Sequence, residues 1–153
     1  VVSLMEKLMK VDNIIGVKFT LLNFYDMSRI KGLCGGNINV INGPDEMLIC
    51  GLTMGADAGI GSTYNVMCRE FKNLYNAFDK GDYKKAQQLQ FKINKVIEII
   101  IKYGVIRTVK HMLSYADINA GDVCAPAAPL TDIEKDNIKA ELSSIGYFDE
   151  YNN

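Results

Sequence analysis

Apolar residues recur along this chain in two different rhythms, and the change comes near residue 81. Val1, Leu4, Met5, Leu8 and Val11 share one side of a helical wheel and predict an opening helix. Ile14 to Thr20, "IIGVKFT", then reads as a strand. Helical spacing returns with Phe24, Met27, Ile30 and Leu33 and stops near Gly35-Gly36. "NINVIN" predicts a second short strand. "PDEMLICGLTMG" predicts a short helix, with Pro44 just ahead of an acidic first turn. "ADAGIGS" predicts a third strand, followed by a helix from about Asn65 to Lys80. Strand and helix alternate three times, at a spacing that suits right-handed βαβ crossovers and a parallel sheet.

After Gly81 the pattern is helical only. Asp82 is placed to cap a long helix in which Tyr83, Ala86, Leu89, Ile93, Val96 and Ile100 share a face. "TVKHMLSYA" predicts a shorter helix, "CAPAAPL" breaks the chain, and "TDIE" (Thr131 to Glu134) fits a capping box opening the last helix. Residues 1–80 thus form a βα part and residues 81–153 a helical extension of the same domain. Apolar parallel strands call for cover on both faces and for neighbours on both edges. A leading helix without a strand before it adds to the expectation that the chain starts inside a larger structure. Open sheet edges would make such a piece self-associate.

Composition narrows the class. At 153 residues, 48% hydrophobic and 23% charged, the chain is globular, with length for one core. A net charge of −1, with both signs interspersed, offers no basic stripe for nucleic acid and no acidic tail. Cys34, Cys50, Cys68 and Cys124 form no CxxC pair, and His111 is the sole histidine, so no metal site is expected. Reduced, buried cysteines and no visible leader point to a cytoplasmic protein. "VIEIIIKYGVI" is interrupted by Glu98 and Lys102 and is too short to span a bilayer, so it is expected as a buried helix rather than a membrane anchor.

Three stretches carry chemistry. In the first strand Gly16, Lys18 and Thr20 face one way, and Ile15, Val17 and Phe19 the other. Lys18 either snorkels out of the strand end or is held inside for its amine. An enclosed, partly dry site disfavours an ammonium, and a neutral amine can attack a ketone to form a Schiff base that acts as an electron sink. In "INGPDE", Gly43 would let a ligand approach the backbone. Asp45 and Glu46 either complement a helix start or accept hydrogen bonds from a polyhydroxylated ligand. In "GIGSTYN", Ser62 and Thr63 are N-cap residues or offer hydroxyls and free N–H groups to an anion or sugar oxygen. All three stretches lie at carboxyl ends of parallel strands, where α/β folds bind ligands.

These stretches together resemble the N-acetylneuraminate lyase (sialic acid aldolase) family. The likeness runs from "IIGVKFT", "INGPDE" and "GADAGIGSTYN" through "NVMCREFKNLYNAF", "KGDYKKAQQLQ" and "KYGVIRTVKHML". The "GVK" lysine is similar to that of the wider superfamily of pyruvate-dependent class I aldolases, which includes dihydrodipicolinate synthase. The other two motifs are closer to the sialic acid branch.

The resemblance implies the C-terminal part of a (β/α)₈ TIM barrel, about three βα units, followed by a helical extension. It implies Lys18 as the Schiff-base lysine, Gly43, Asp45 and Glu46 as holders of the polyhydroxyl chain, Ser62 as a further substrate contact and Thr20 as a small hydroxyl residue in the pocket. Pro44 stands where several relatives carry a larger residue. No cofactor is implied beyond the covalent imine. The implied partners are sialic acid, pyruvate and the N-terminal barrel half, in a homo-oligomer, a tetramer by resemblance. That half would supply the carboxylate-binding loop and the proton-relaying tyrosine, a role assigned to no tyrosine of this chain. The implied reaction is cleavage of N-acetylneuraminate to N-acetylmannosamine and pyruvate. The alternatives are another pyruvate aldolase, acting in the manner of dihydrodipicolinate synthase or on a keto-sugar acid, and a non-catalytic half-barrel.

Overall fold

The switch from mixed to purely helical periodicity is reproduced in space. A computed structural model describes residues 1–151; the last two residues of the expected extension, and the side chains of Cys34, Glu150 and Tyr151, lie outside the described part. The order is α1 (Val2–Leu8), β1 (Gly16–Phe19), α2 (Phe24–Lys31), β2 (Asn39–Asn42), α3 (Leu48–Thr53), β3 (Ala58–Gly59), α4 (Tyr64–Asp79), α5 (Tyr83–Tyr103), α6 (Val105–Leu113), α7 (Asp132–Ser144) and α8 (Tyr147–Tyr151). Short 3₁₀ turns precede β2 and α3 and follow α6.

Local chemistry starts several of these helices. The side chains of Asn23 and Asp82 accept hydrogen bonds from the N–H groups of Asp26 and Lys85, satisfying donors that a helix start leaves unpaired. Thr131 and Glu134 form the full reciprocal capping box at α7. Gly104, at φ +92°, breaks α5 from α6 in a conformation that favours glycine.

The three strands are parallel in the order β1-β2-β3, with Lys18 opposite Ile41 and Ile41 opposite Ala58. Phe19 and Val40 point into the helix layer, where they join Val2, Met5, Met27, Ile30, Ile38 and Ala56 in one core. The opposite face, bearing Gly16, Lys18, Asn39 and Ile41, is open: Lys18 and Asn39 are exposed, and Ile60 just beyond β3 is 52% exposed. A second, larger core is shared by α3 to α8. It is centred on α5, whose Ile93, Ile97 and Ile100 lie with Phe71, Leu74, Met112, Ile138 and Leu142.

Several expectations are corrected. In α1 the buried residues are Val2 and Met5, whereas Val1, Leu4 and Val11 are exposed. Apolar residues spread over a broad arc of this short helix, opposite Ser3, Glu6 and Lys7, and the core takes only one side of that arc. The third strand shrinks to Ala58–Gly59 because the chain turns away once the Ile60 N–H has bonded to the Asn42 carbonyl. Tyr83, at the start of the long helix, is 61% exposed, and Ile101 is 57% exposed because it lies on the face turned away from the core that buries Ile100 and Tyr103. Helix α8 had no counterpart in the sequence reading. Cys68 and Cys124 are exposed and Cys50 is half-buried, so buried thiols were the wrong expectation for these three. Among the described residues no helix is long and apolar enough to cross a membrane.

The second core makes a stability prediction. Ile138, fully buried between α5 and α7, should cost about 3 kcal/mol on truncation to alanine. Ile133 is 75% exposed and lies five residues earlier on the same helix, and its truncation should be close to neutral. Denaturant unfolding of both variants checks the contrast.

Candidate active site

A parallel sheet presents its carboxyl edge as a row of strand ends, and here that edge holds all the singled-out residues. Lys18 lies on the open face of β1 beside Ile41, bordering a shallow depression with Gly16 and Asn39. Its side chain is exposed, so the described residues do not enclose it. Among the described residues no hydrogen bond or ion pair engages its amine.

Two residues on, Thr20 packs against Gly43. The Gly43 N–H donates to the Phe19 carbonyl at 2.8 Å, drawing the two strand ends together. A Cβ at Gly43 would overlap the Thr20 hydroxyl, so the missing side chain at position 43 makes room for Thr20. That explains the glycine by a close approach within the chain, where the sequence alone suggested room for a ligand.

Asp45 is buried and committed elsewhere. Its Oδ2 accepts from the Thr63 N–H at 3.0 Å and from the Thr63 hydroxyl at 2.6 Å, tying the loop after β2 to the loop after β3. Its Oδ1 is buried without a hydrogen-bond partner and lies where a side chain on Gly61 would stand. The carboxylate therefore acts first as a bridge between loops. Thr63 spends its hydroxyl on that bridge and makes no side-chain cap for α4. Nearby, Tyr64 stacks on Phe71 with ring centroids 3.8 Å apart. Burial, and secondarily the charge of Asp45, push the Tyr64 phenol upward, so it stays protonated.

Glu46 and Ser62 differ from Asp45. Glu46 is exposed and Ser62 half-buried, and within the described residues neither side chain is engaged in a hydrogen bond. Lys18, Thr20, Glu46 and Ser62 thus present an amine, two hydroxyls and a carboxylate along one sheet edge, none of them hydrogen-bonded through its side chain among the described residues. Among the described residues Lys18 makes no hydrogen bond to the two loops; what relates them is the strand register and the common edge.

Sequence reading missed Gln90 and Asn94 of α5. Gln90 is 3% exposed and bonds the backbone at Asp45 and Ile49, while Asn94 bonds the carbonyl of Glu46. The signal was there: Gln90 falls at helical spacing between Ala86 and Ile93, a polar residue within a buried stripe.

A profile of the dihydrodipicolinate synthetase family matches residues 1–145. The chain belongs to this family. Within it, the chain is 38% identical over 125 residues to the N-acetylneuraminate lyase of Citrobacter koseri, covering 81% of this chain and 42% of that one. It is 40% identical over 115 residues to the N-acetylneuraminate lyase of Salmonella agona, covering 74% of this chain and 38% of that one. In structure it is similar to the N-acetylneuraminate lyase of Fusobacterium nucleatum solved with pyruvate, with a TM-score of 0.86 and 28% identity, covering 95% of this chain and 49% of that one. The chain spans about two fifths of the length of these curated relatives and half of the solved one. Its fold is accordingly part of a (β/α)₈ barrel with its following helices.

The loop bridge yields a test. Thr63→Val removes one of two donors to a buried carboxylate oxygen and should cost about 1–3 kcal/mol of stability. Ser62→Ala, which deletes an unengaged hydroxyl, should leave the unfolding midpoint unchanged. Parallel denaturant titrations would expose an error in either assignment.

Proposed function

We propose that the complete protein is an N-acetylneuraminate lyase working by class I aldol cleavage, with Lys18 as its nucleophile. The observation that carries this reading is the unengaged amine of Lys18 on the open face of β1, level with Ile41, at the edge that also presents free Glu46 and Ser62. Identity near 40% to N-acetylneuraminate lyases supports the choice within the family.

The chemistry follows from the amine. Lys18 attacks the C2 ketone of the open-chain sugar acid, and loss of water gives a protonated imine. Electrons of the C3–C4 bond flow into that imine as the C4 hydroxyl proton passes to a general base, releasing N-acetylmannosamine and leaving an enamine. Protonation at C3 and attack of water on the imine carbon free pyruvate and regenerate the amine. No separate cofactor is needed, since the imine is the electron sink. Thr20 lines the pocket, and Glu46 and Ser62 accept and donate hydrogen bonds along the polyhydroxyl chain. Gly43 and Asp45 hold the shape of that edge.

An eight-stranded barrel needs strands beyond the three described, and they would cover the open face. In this reading they enclose Lys18, bind the substrate carboxylate and bring the base that takes the C4 proton. Non-catalytic use of a half-barrel is the competing reading, favoured by the exposure of Lys18 in this chain.

The decisive experiment treats the full-length protein with pyruvate and borohydride and reads the intact mass. A reduced pyruvate adduct that is lost in Lys18→Ala is expected, together with pyruvate release from N-acetylneuraminate. Adduct formation without cleavage of that sugar acid would redirect the substrate assignment to another keto acid. No adduct at all would defeat the aldolase reading.

A further inference from the structure

We propose that Gln90 and Asn94, on the helix beyond the βα units, are positioning residues that set the turn at 43–49 and thereby the selectivity for a long polyhydroxylated substrate. The inference rests on the aldolase reading above and extends it to residues that touch no substrate.

The turn holds its shape through backbone groups, and α5 takes three of them. Gln90 Oε1 accepts from the Ile49 N–H at 3.1 Å. Its Nε2 donates to the Asp45 carbonyl at 3.2 Å and to Asn94 Oδ1 at 2.9 Å. Asn94 Nδ2 donates to the Glu46 carbonyl at 3.1 Å. The two amides therefore form one chain of hydrogen bonds reaching both acidic positions and the start of α3.

Only an amide fits position 90. The site presents one backbone donor and one backbone acceptor, and a primary amide offers an acceptor and donors from one planar group. A carboxylate would turn an oxygen toward the Asp45 carbonyl, and a hydrocarbon would leave buried backbone groups unpaired. At 3% exposure no water replaces the lost bonds without repacking. A polar side chain in the middle of the buried stripe of α5 is costly unless it is used in this way.

The consequence falls on one part of the substrate. The Glu46 side chain is exposed and unengaged, so its aim depends on the backbone that α5 fixes. Hydrogen bonds from a carboxylate to hydroxyls are directional and charge-assisted, and a small misplacement weakens them steeply. Lys18 stands on β1, which α5 does not hold by any of these bonds. Loosening the turn should therefore spare imine formation and penalise binding of the long chain.

The test uses Asn94→Ala and Gln90→Leu in the full-length protein, each checked for folding by circular dichroism. Condensation of pyruvate is compared with N-acetylmannosamine and with a two-carbon hydroxyaldehyde, which has no chain for the turn to hold. In Asn94→Ala, the half-buried position that leaves the core intact, kcat/KM for the sugar should fall about tenfold through KM. Adduct trapping and kcat/KM for the short aldehyde should stay within about twofold of the unaltered protein. Equal losses for both aldehydes, or no loss for either, would overturn the selectivity role. Hydrogen exchange supplies an arm that needs no activity: the Ile49 amide should exchange faster in Gln90→Leu, and an unchanged rate would overturn the clamp. Failure of the unaltered protein to form an adduct would instead strike the aldolase reading and leave exchange to judge the clamp.

Discussion

A parallel strand has two faces, and this chain buries one of them. Phe19 and Val40 pack into helices, which fixes β1 and β2 against α1 and α2. Their alternates, Lys18 and Ile41, are then forced onto the opposite side by the period of two. The position of the amine is thus a consequence of where the apolar residues had to go. Parallel sheets are ordinarily covered on both faces, and in a barrel this face turns inward with the reacting groups at its carboxyl ends.

The strand ends are held by interactions that do not belong to the strands. Asp45 joins the loops after β2 and β3 through Thr63, and Gln90 with Asn94 grips the same turn from α5. One carboxylate oxygen of Asp45 accepts two hydrogen bonds from Thr63, while the other is buried without a protein partner. Those bonds leave Glu46 and Ser62 free, so rigidity of the backbone and availability of the side chains arise together.

The helical extension has two roles in one element. Helix α5 carries the larger core through Ile93, Ile97 and Ile100, and its polar interruption at Gln90 meets the turn. The same burial that stabilises the helix sets the distance and angle at which its amides reach the backbone. Packing of residues 83–103 is in that sense part of the candidate site.

Much of this was legible in the sequence, because the signals are local. The alternation of strand and helix, the caps at Asp82 and Thr131, and the placing of Lys18, Asp45 and Ser62 at strand ends depend on neighbours a few residues away. Resemblance carried further, to the family and its barrel. Three things needed the tertiary structure. The buried side of α1 was ambiguous, because its apolar residues spread over a broad arc opposite Ser3, Glu6 and Lys7 and only packing against its neighbours selects Val2 and Met5 within it. The commitment of Asp45 to Thr63 joins residues 18 apart, and the grip of Gln90 on Asp45 joins residues 45 apart. Periodicity reports which side of an element is apolar, but it holds no information about which distant backbone group a polar side chain will meet. The sequence by itself determined the elements and the type of chemistry at their ends; packing decided which of those polar groups are spent on holding the site and which remain free to act.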